Sequence, residues 1–497
     1  MMTASLYRYN YGDSYTDAEL VVNFEKSGIS MPFTAPFLRG GYMAISDTEF
    51  LVGKQTDGLY LLTSDPYKMV GDKEIITIAQ LEVNVLLDRA VNEFNRTNPN
   101  IRIEKSDYTI YGDVASAQIQ LDLDLLQGNA PDIIYTFNES PDKYASRGAL
   151  ADLTELLAND PTLSHEDLFE NILTACETDG KLYHMVTDFA VYSLVGKTSI
   201  FGERSDLTMA QLLDIAARYP SAELIGGYTA SDWVTLYTIY MLDDLIDWNT
   251  GTCHFTSEEY LAVLNADKRL PSELDRKVGY DNITEFTEHF NDYAPRVRDD
   301  KVLLHYSLIS DYRIGHTMGE LYGEPVTYLG VPALTSSGNV IMPQSGFAIT
   351  ESSQNKEAAW QFISMLLQED VGEDLVLFLS PNKNRFEHLA FEEMIPLADR
   401  KFTSLLLRQS TGISWYYESV GQEDVRAPGY ENYHLTTDEI AVVRNAITGA
   451  TRVAVIDNAI IGLLREELDA YCNGTRSAEE TARIIQSRVS LYVAENS

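Results

Sequence analysis

The chain has 497 residues, 45% of them hydrophobic and 23% charged, and its 37 Lys and Arg against 75 Asp and Glu leave a net charge of −38. That length allows about two to four domains with closed apolar cores, and a 10% share of aromatic residues separates it from a disordered acidic chain. The inverted charge balance excludes nucleic acid, whose phosphates need Lys and Arg in excess, and it excludes a polybasic grip on anionic membranes.

Residues 1–73 read as a small β-rich segment, the texture of the end of a larger β domain. Thr48–Gly53 and Leu59–Thr63 flank Gln55-Thr56-Asp57-Gly58, a hairpin by its turn chemistry. From Glu74 the pattern becomes α/β. Ile75–Ala79 is a short buried-type strand, and Leu87, Ala90, Val91 and Phe94 mark one helical face that ends before Asn98-Pro99. Ile101–Glu104 alternates as a strand, a helix covers about 113–127 and stops at Gly128, and Ile133–Tyr135 is a third strand. This succession predicts a mostly parallel sheet.

The middle of the chain is more helical. Thr208-x-x-Gln211 and Thr256-x-x-Glu259 read as capping boxes, and a helix rich in Trp and Tyr is expected over about 231–246. Strands return at Val302–Tyr306 and Val326–Leu329. Ala359, Phe362, Ile363 and Leu366 then give a clean helical stripe, and Ser477-x-x-Glu480 opens a last helix with Ala478, Ala482, Ile485 and Val489 on one side.

Several chemical motifs fail on inspection. Gly196-Lys197-Thr198 lacks the glycine of a phosphate loop, because Val191 stands there. Gly12-Asp13-Ser14 has no neighbouring His and acid to make a hydrolase, and neither Gly-x-Ser-x-Gly nor His-Glu-x-x-His occurs. No two of the eight histidines share ligand-pair spacing, and Asp243, Asp244, Asp247 and Asn249 lack the glycine and the terminal Glu of a calcium loop. Cys176, Cys253 and Cys472 are too few for a disulfide framework, and no run of about 18 apolar residues marks a membrane span. Neither a metal nor a cofactor is expected.

The positive signal is aromatic, with 30 Tyr, 18 Phe and 4 Trp. Several rings fall where α/β proteins place ligand loops. Tyr135-Thr136-Phe137-Asn138 follows a strand, Trp233 opens a helix, Tyr306 ends a strand, and Trp415-Tyr416-Tyr417 cluster near Gly412. Flat rings with polar neighbours suit sugars, whose C–H faces stack while their hydroxyls take hydrogen bonds. For any single ring, packing in a core or an interface is the commoner use.

A set of short passages, in order, resembles the extracellular solute-binding proteins of ABC importers, family 1, the maltose-binding-protein-like group. They are Ile75–Ala79 with its helix and Asn98-Pro99-Asn100-Ile101, then Gly128-Asn129-Ala130-Pro131-Asp132-Ile133, then Gly148-Ala149-Leu150-Ala151-Asp152-Leu153. Asp179-Gly180-Lys181-Leu182-Tyr183 resembles a first crossing between lobes. Gly346-Phe347-Ala348-Ile349 with Lys356-Glu357-Ala358-Ala359-Trp360 resembles the return, and 477–495 the closing helix.

The resemblance implies an α/β, two-lobed periplasmic-binding-protein-like fold of type II, behind the β-rich N-terminal segment. Lobe 1 would comprise about 74–187 and 346–400, and lobe 2 about 188–345 and 401–497. It implies a carbohydrate receptor, not an enzyme, that closes on its ligand and docks on importer permease subunits. The cleft residues it points to are Gln80, Glu82, Thr136, Phe137, Asn138 and Asp188, with Trp233, Tyr306 and Trp415 as stacking rings. A monomer is expected, held at the cell surface by an export signal and lipid anchor that this sequence does not carry. Val186 departs from the family's usual Pro. The competing readings are a glycoside hydrolase or lyase with an acidic cleft, and a sensor or scaffold that signals through the β segment.

Overall fold

The strand and helix alternation that begins at Glu74 folds into one mixed sheet of ten strands. The computed structural model describes residues 5–8, 19–23, 42–46, 49–54, 58–63, 73–82, 84–136, 141–205, 207–226, 230–248, 250–265, 293–332, 337–372, 375–376, 378–396, 434–454 and 457–496. Ahead of the sheet every described element is a strand. β1 (Ser5–Arg8) pairs with β2 (Glu19–Asn23), while β3 (Tyr42–Ala44), β4 (Glu49–Lys54) and β5 (Gly58–Thr63) form a three-stranded antiparallel sheet. Glu49 faces Thr63 and Lys54 faces Gly58, so the expected hairpin is present.

The first half of the main sheet follows the sequence reading closely. β6 (Glu74–Gln80) runs parallel to both β7 (Ile101–Asp107) and β8 (Ile133–Tyr135). Between them, helix Val85–Thr97 is capped by Asn84, whose Oδ1 accepts from the N–H groups of Leu86 and Leu87. It buries Leu87, Ala90, Val91 and Phe94, and each larger side chain contributes about 1.5–3 kcal/mol. Helix Val114–Gln127 starts on Asp113 and ends on Gly128 at φ 71°, a left-handed stop that favours glycine. β9 (Glu177–Thr178) and β10 (Lys181–Leu182) make a hairpin through Asp179 and Gly180, both at positive φ.

Two long strands tie the halves together. β11 (Met185–Lys197) and, beyond it, β18 (Ser337–Ile349) are 13 residues each and pair antiparallel. Near Met185, β18 lies against β8, Phe347 facing Tyr135 and Ile349 facing Ile133. Farther along, β11 pairs with β15 (Val302–Ile309) and β16 (Val326–Tyr328). β12 (Glu223–Ile225) extends this end beside β15, and β19 (Ala450–Val453) runs parallel to β18. The short β17 (Val331–Pro332) turns back on β18, and β13 (Ile246–Asp247) with β14 (Thr252–Cys253) is a separate hairpin.

Each end has its own core. The first gathers β6–β8, helix Lys356–Leu366, helix Lys383–Glu393 and helix Thr437–Thr448. Phe362 meets Phe94 and Phe347 edge-on at 5.5 and 5.3 Å. The second packs helix Ala230–Ile239, helix Asn458–Cys472 and helix Ala478–Asn496 beneath β11 and β15. The observed class is therefore the expected one, α/β with two packed halves bridged by crossing strands, behind a β-rich segment. No helix among the described residues is long and apolar enough to cross a membrane.

The sheet is not mostly parallel as expected, because the two long crossing strands pair antiparallel with each other and with β8, β15, β16 and β17, and three local expectations also need correction. The helix over 231–246 is broken after Ile239 and resumes only for Leu242–Leu245, because the Tyr240 carbonyl accepts from Arg452 Nη1 at 3.1 Å instead of continuing the ladder. The next helix begins at Glu258 with Ser257, not Thr256, as its cap, the Ser257 hydroxyl accepting from Tyr260 N–H. Tyr306 does not end its strand, since β15 continues to Ile309.

Candidate functional site

Open α/β sheets bind ligands beyond the carboxyl ends of their parallel strands. Here those ends are Gln80 on β6 and Tyr135-Thr136 on β8, and they meet the crossing strands. Gln80 is buried at the tip of β6 and Glu82 is half-buried just after it. Thr136 is buried, with its N–H donating to the Gly346 carbonyl at 2.9 Å. Tyr135 takes a hydrogen bond from Asn84 Nδ2 at 3.2 Å. Burial pushes its phenol well up against the Asn84 hydrogen bond, and the charges of Asp188 and Glu82 add to the rise. Glu82, Tyr135 and Asp188 thus share one electrostatic neighbourhood.

Asp188 lies where the crossing strands lose register, with irregularities on both sides of it, a bulge that bends the strand locally. The residue is fully buried, and one carboxylate oxygen accepts from the Phe378 N–H at 2.9 Å. Beside it Thr187 and Ser345 link the two strands hydroxyl to hydroxyl at 2.8 Å. A Cβ on Gly346 would stand 2.6 Å from the Thr136 hydroxyl and 3.3 Å from the Met185 carbonyl. Only glycine lets the strands close here.

Four residues past Asp188, about 13 Å along an extended chain, an aromatic cluster begins. Tyr192 on β11 and Tyr306 on β15 are half-buried, with ring centroids 4.9 Å apart. Tyr240 completes a triangle, 4.9 Å from Tyr192 and 5.7 Å from Tyr306, stacked on the latter at 27°. Behind them Trp233 lies against Tyr237, the rings 4.6 Å apart and tilted by 38°. A cavity of about 10 Å³ is lined by Ile225, Trp233, Leu236, Tyr237, Tyr240 and Tyr306, with no charged residue among them. A more open groove of about 370 Å³ runs past Asp107, Tyr108, Tyr111, Asp124 and Asn129 at the amino-terminal side of β8. Its acids are already engaged, Asp107 by Thr109 and Asp124 by Tyr108 and Gln120.

The sequence-derived residues therefore fall into two groups. Gln80, Glu82, Thr136 and Asp188 gather around Tyr135 at the strand ends, and Trp233 and Tyr306 share the aromatic cavity. Phe137, Asn138 and Trp415 lie outside the described residues. Sequence reasoning passed over Tyr237 and Tyr240, although 233, 237 and 240 have the i, i+4, i+7 spacing of one helical face. Tyr192 and Asn84 carried no such signal, because strand pairing and a helix cap bring them in. No group of three metal-ligating side chains exists among the described residues.

Residues 89–380 match the family model of the bacterial extracellular solute-binding protein. No curated protein matches the chain. Among solved structures it is similar to an ABC substrate-binding protein of Listeria monocytogenes in complex with cycloalternan, at 16% identity and a TM-score of 0.47, covering 85% of this chain and all of that one. It is also similar to the sugar-binding protein MalE of Xanthomonas citri, at 14% identity and 0.49, covering 85% and 98%. The galacto-N-biose-/lacto-N-biose I-binding protein of Bifidobacterium longum follows at 12% identity and 0.45, covering 86% and 98%.

Proposed function

The chain belongs to the bacterial extracellular solute-binding proteins, and from that premise we propose that it captures a neutral carbohydrate between two lobes and hands it to an ABC importer permease. The lobes divide within the crossing strands, with about 74–187 and 346–400 on one side and about 188–345 and 401–497 on the other, save that helix Thr437–Thr448 packs into the first core. The bulge at Asp188 is the hinge. Closure brings the polar strand ends, Gln80, Glu82 and Thr136, toward the rings of Tyr192 and Tyr306. Phe137, Asn138 and Trp415 are expected to complete the same cleft.

The observation that carries the sugar reading is the uncharged triangle of Tyr192, Tyr240 and Tyr306 beside the hinge. A pyranose presents C–H groups to such rings and hydroxyls to its flanks, whereas an anionic solute would need a cation, and the one beside these rings, Arg452, is already engaged by the Tyr240 and Val331 carbonyls and by Asp244. The protein works as a monomer without metal or cofactor and does no chemistry on the solute. A lipid anchor would hold it at the cell surface.

The test uses maltotriose, cellotriose, xylotriose, mannotriose and lactose, followed by tryptophan fluorescence and by chromatography of products. Saturable fluorescence change with at least one sugar, and no product, is the expected outcome. Product in excess of protein would instead make the chain a glycoside hydrolase or lyase, and no response to any sugar would remove the carbohydrate assignment.

A further inference from the structure

Helix Val114–Gln127 is apolar on two opposite faces. Ala117 and Leu121 are buried in the small core against the sheet, whereas Ile119, Leu123 and Leu126 are 62%, 43% and 71% exposed on the side turned away from it. Their i, i+4, i+7 spacing makes one stripe, and a helix apolar all round is ordinarily covered on every side. Ile110 and Tyr111, in the 3₁₀ turn Tyr108–Tyr111 that leads into the helix, are exposed as well. Single exposed apolar residues are commonplace, but a contiguous group of them marks an interaction surface.

Charge around the stripe is one-sided. From Ser106 to Asp142 the chain carries seven acids and no Lys, Arg or His. On one flank Asp122 is answered by Lys143 at 3.4 Å and by the Tyr144 hydroxyl at 2.7 Å. On the other flank Asp124 and Asp107 line the open groove beside Tyr108 and Tyr111. Their hydrogen-bond partners, Tyr108, Gln120 and Thr109, are all uncharged. β7, which feeds into this region, is an edge strand of the sheet.

These features select the occupant. A second copy would lay the same stripe and the same acids against each other, with −38 on each chain. The β-rich segment up to residue 73 exposes Met43, Ile45 and Leu61, but it brings six basic residues against nine acids and so no surplus cation for Asp107 and Asp124. We propose that helix Val114–Gln127 and the groove beside it form a docking surface for a basic, amphipathic segment of a partner protein. Apolar side chains of that segment lie on Ile119, Leu123 and Leu126, and a Lys or Arg reaches the groove, where carboxylates and tyrosine faces both attract it. Docking here requires no sugar, so it is independent of the carbohydrate reading.

The probe is a synthetic peptide of leucine and lysine alone, about 14 residues long with its leucines at helical spacing, titrated calorimetrically into the full chain. Ile119→Gln combined with Leu123→Gln leaves the charge of the protein unchanged, so general attraction to an acidic surface is untouched. Docking on the stripe predicts that the double variant binds the peptide about tenfold more weakly or worse. Leu491→Gln, at an exposed position of the last helix, should bind within about twofold of wild type, and the melting temperatures of all three proteins should agree, as for ordinary surface substitutions. A peptide with glutamine in place of lysine should also bind about tenfold more weakly. Equal binding by the double variant would reduce the interaction to net charge and overturn the proposal, as would no binding by wild type. A wild-type dimer in sedimentation that the double variant dissociates would make a second copy the occupant. A clear fall in the melting temperature of the double variant alone would mean that the chain's own β-rich segment covers the stripe. Either result also overturns the proposal.

Discussion

At the scale of single residues, two acids of the first half, Asp132 and Asp160, are fasteners. Asp132 holds Thr77 through both its N–H and its hydroxyl at 2.8 Å, and its other oxygen takes the Ser353 hydroxyl at 2.6 Å. Three chain segments are pinned by one carboxylate. Asp160 acts likewise, accepting from Trp360 Nε1 at 2.7 Å and from Thr162 N–H at 2.8 Å. Burial pushes the Asp160 carboxyl up, but hydrogen bonds from Ser364, Thr162 and Trp360 outweigh it and hold the group below the usual carboxylate range. A carboxyl lowered in the folded state stabilises fully above its unfolded pKa, and the contribution disappears as pH falls through the lower folded value. Trp360→Phe should therefore cost about 1–3 kcal/mol at pH 7, part packing and part charged hydrogen bond. Urea titrations of both proteins from pH 7 to pH 2.5 should show the difference narrowing at the acid end. A gap that stays constant with pH would mean that the indole–carboxylate bond contributes nothing.

At the scale of elements, the second half of the sheet depends on a close approach of two backbones. Gly330 sits at φ 71°, and a Cβ there would lie 2.6 Å from the Gly338 carbonyl carbon. Its carbonyl accepts from Leu194 N–H at 3.2 Å and its N–H donates to the Ser193 hydroxyl at 3.0 Å. Gly330→Ala meets both a left-handed backbone and a backbone collision, so a loss of about 3 kcal/mol or more is expected, read as a lower urea midpoint. A midpoint within 0.3 kcal/mol-equivalent of wild type, an approximate limit set by ordinary surface substitutions, would show that β17 and β18 can separate freely. Such contacts also mark where the sequence ceased to be legible. The parallel β6–β8 unit could be read because buried runs, a 3.6-residue stripe and capping residues agree there. The break after Ile239 could not, since a guanidinium from residue 452 causes it. In the candidate site Gln80, Glu82 and Thr136 were legible as strand ends, whereas Tyr192 joins Tyr306 only through the register of β11 with β15. Pairing partners more than 100 residues apart leave no local trace.

At the scale of the whole molecule, charge is the dominant unbalanced force. Even if every Lys and Arg formed an ion pair, 38 carboxylates would remain without a cation. The ion pairs present include exposed ones such as Arg96–Glu93 and Lys301–Asp299, each contributing about 1 kcal/mol or less. Added salt weakens these pairs and also screens the repulsion among the surplus acids, shortening the Debye length from about 30 Å at 0.01 M to about 8 Å at 0.15 M. The surplus outnumbers the pairs, so screening of repulsion should win. Raising NaCl over that interval at pH 7.5 is expected to increase the melting temperature by about 2–4 °C. Near pH 4.5 the net charge approaches zero, given an isoelectric point of about 4.4, and the salt response should vanish or change sign. Scanning calorimetry at three salt concentrations and these two pH values separates the cases. A melting temperature that falls with salt at pH 7.5 would mean that the ion pairs, and not the acidic surface, govern the stability of the folded chain.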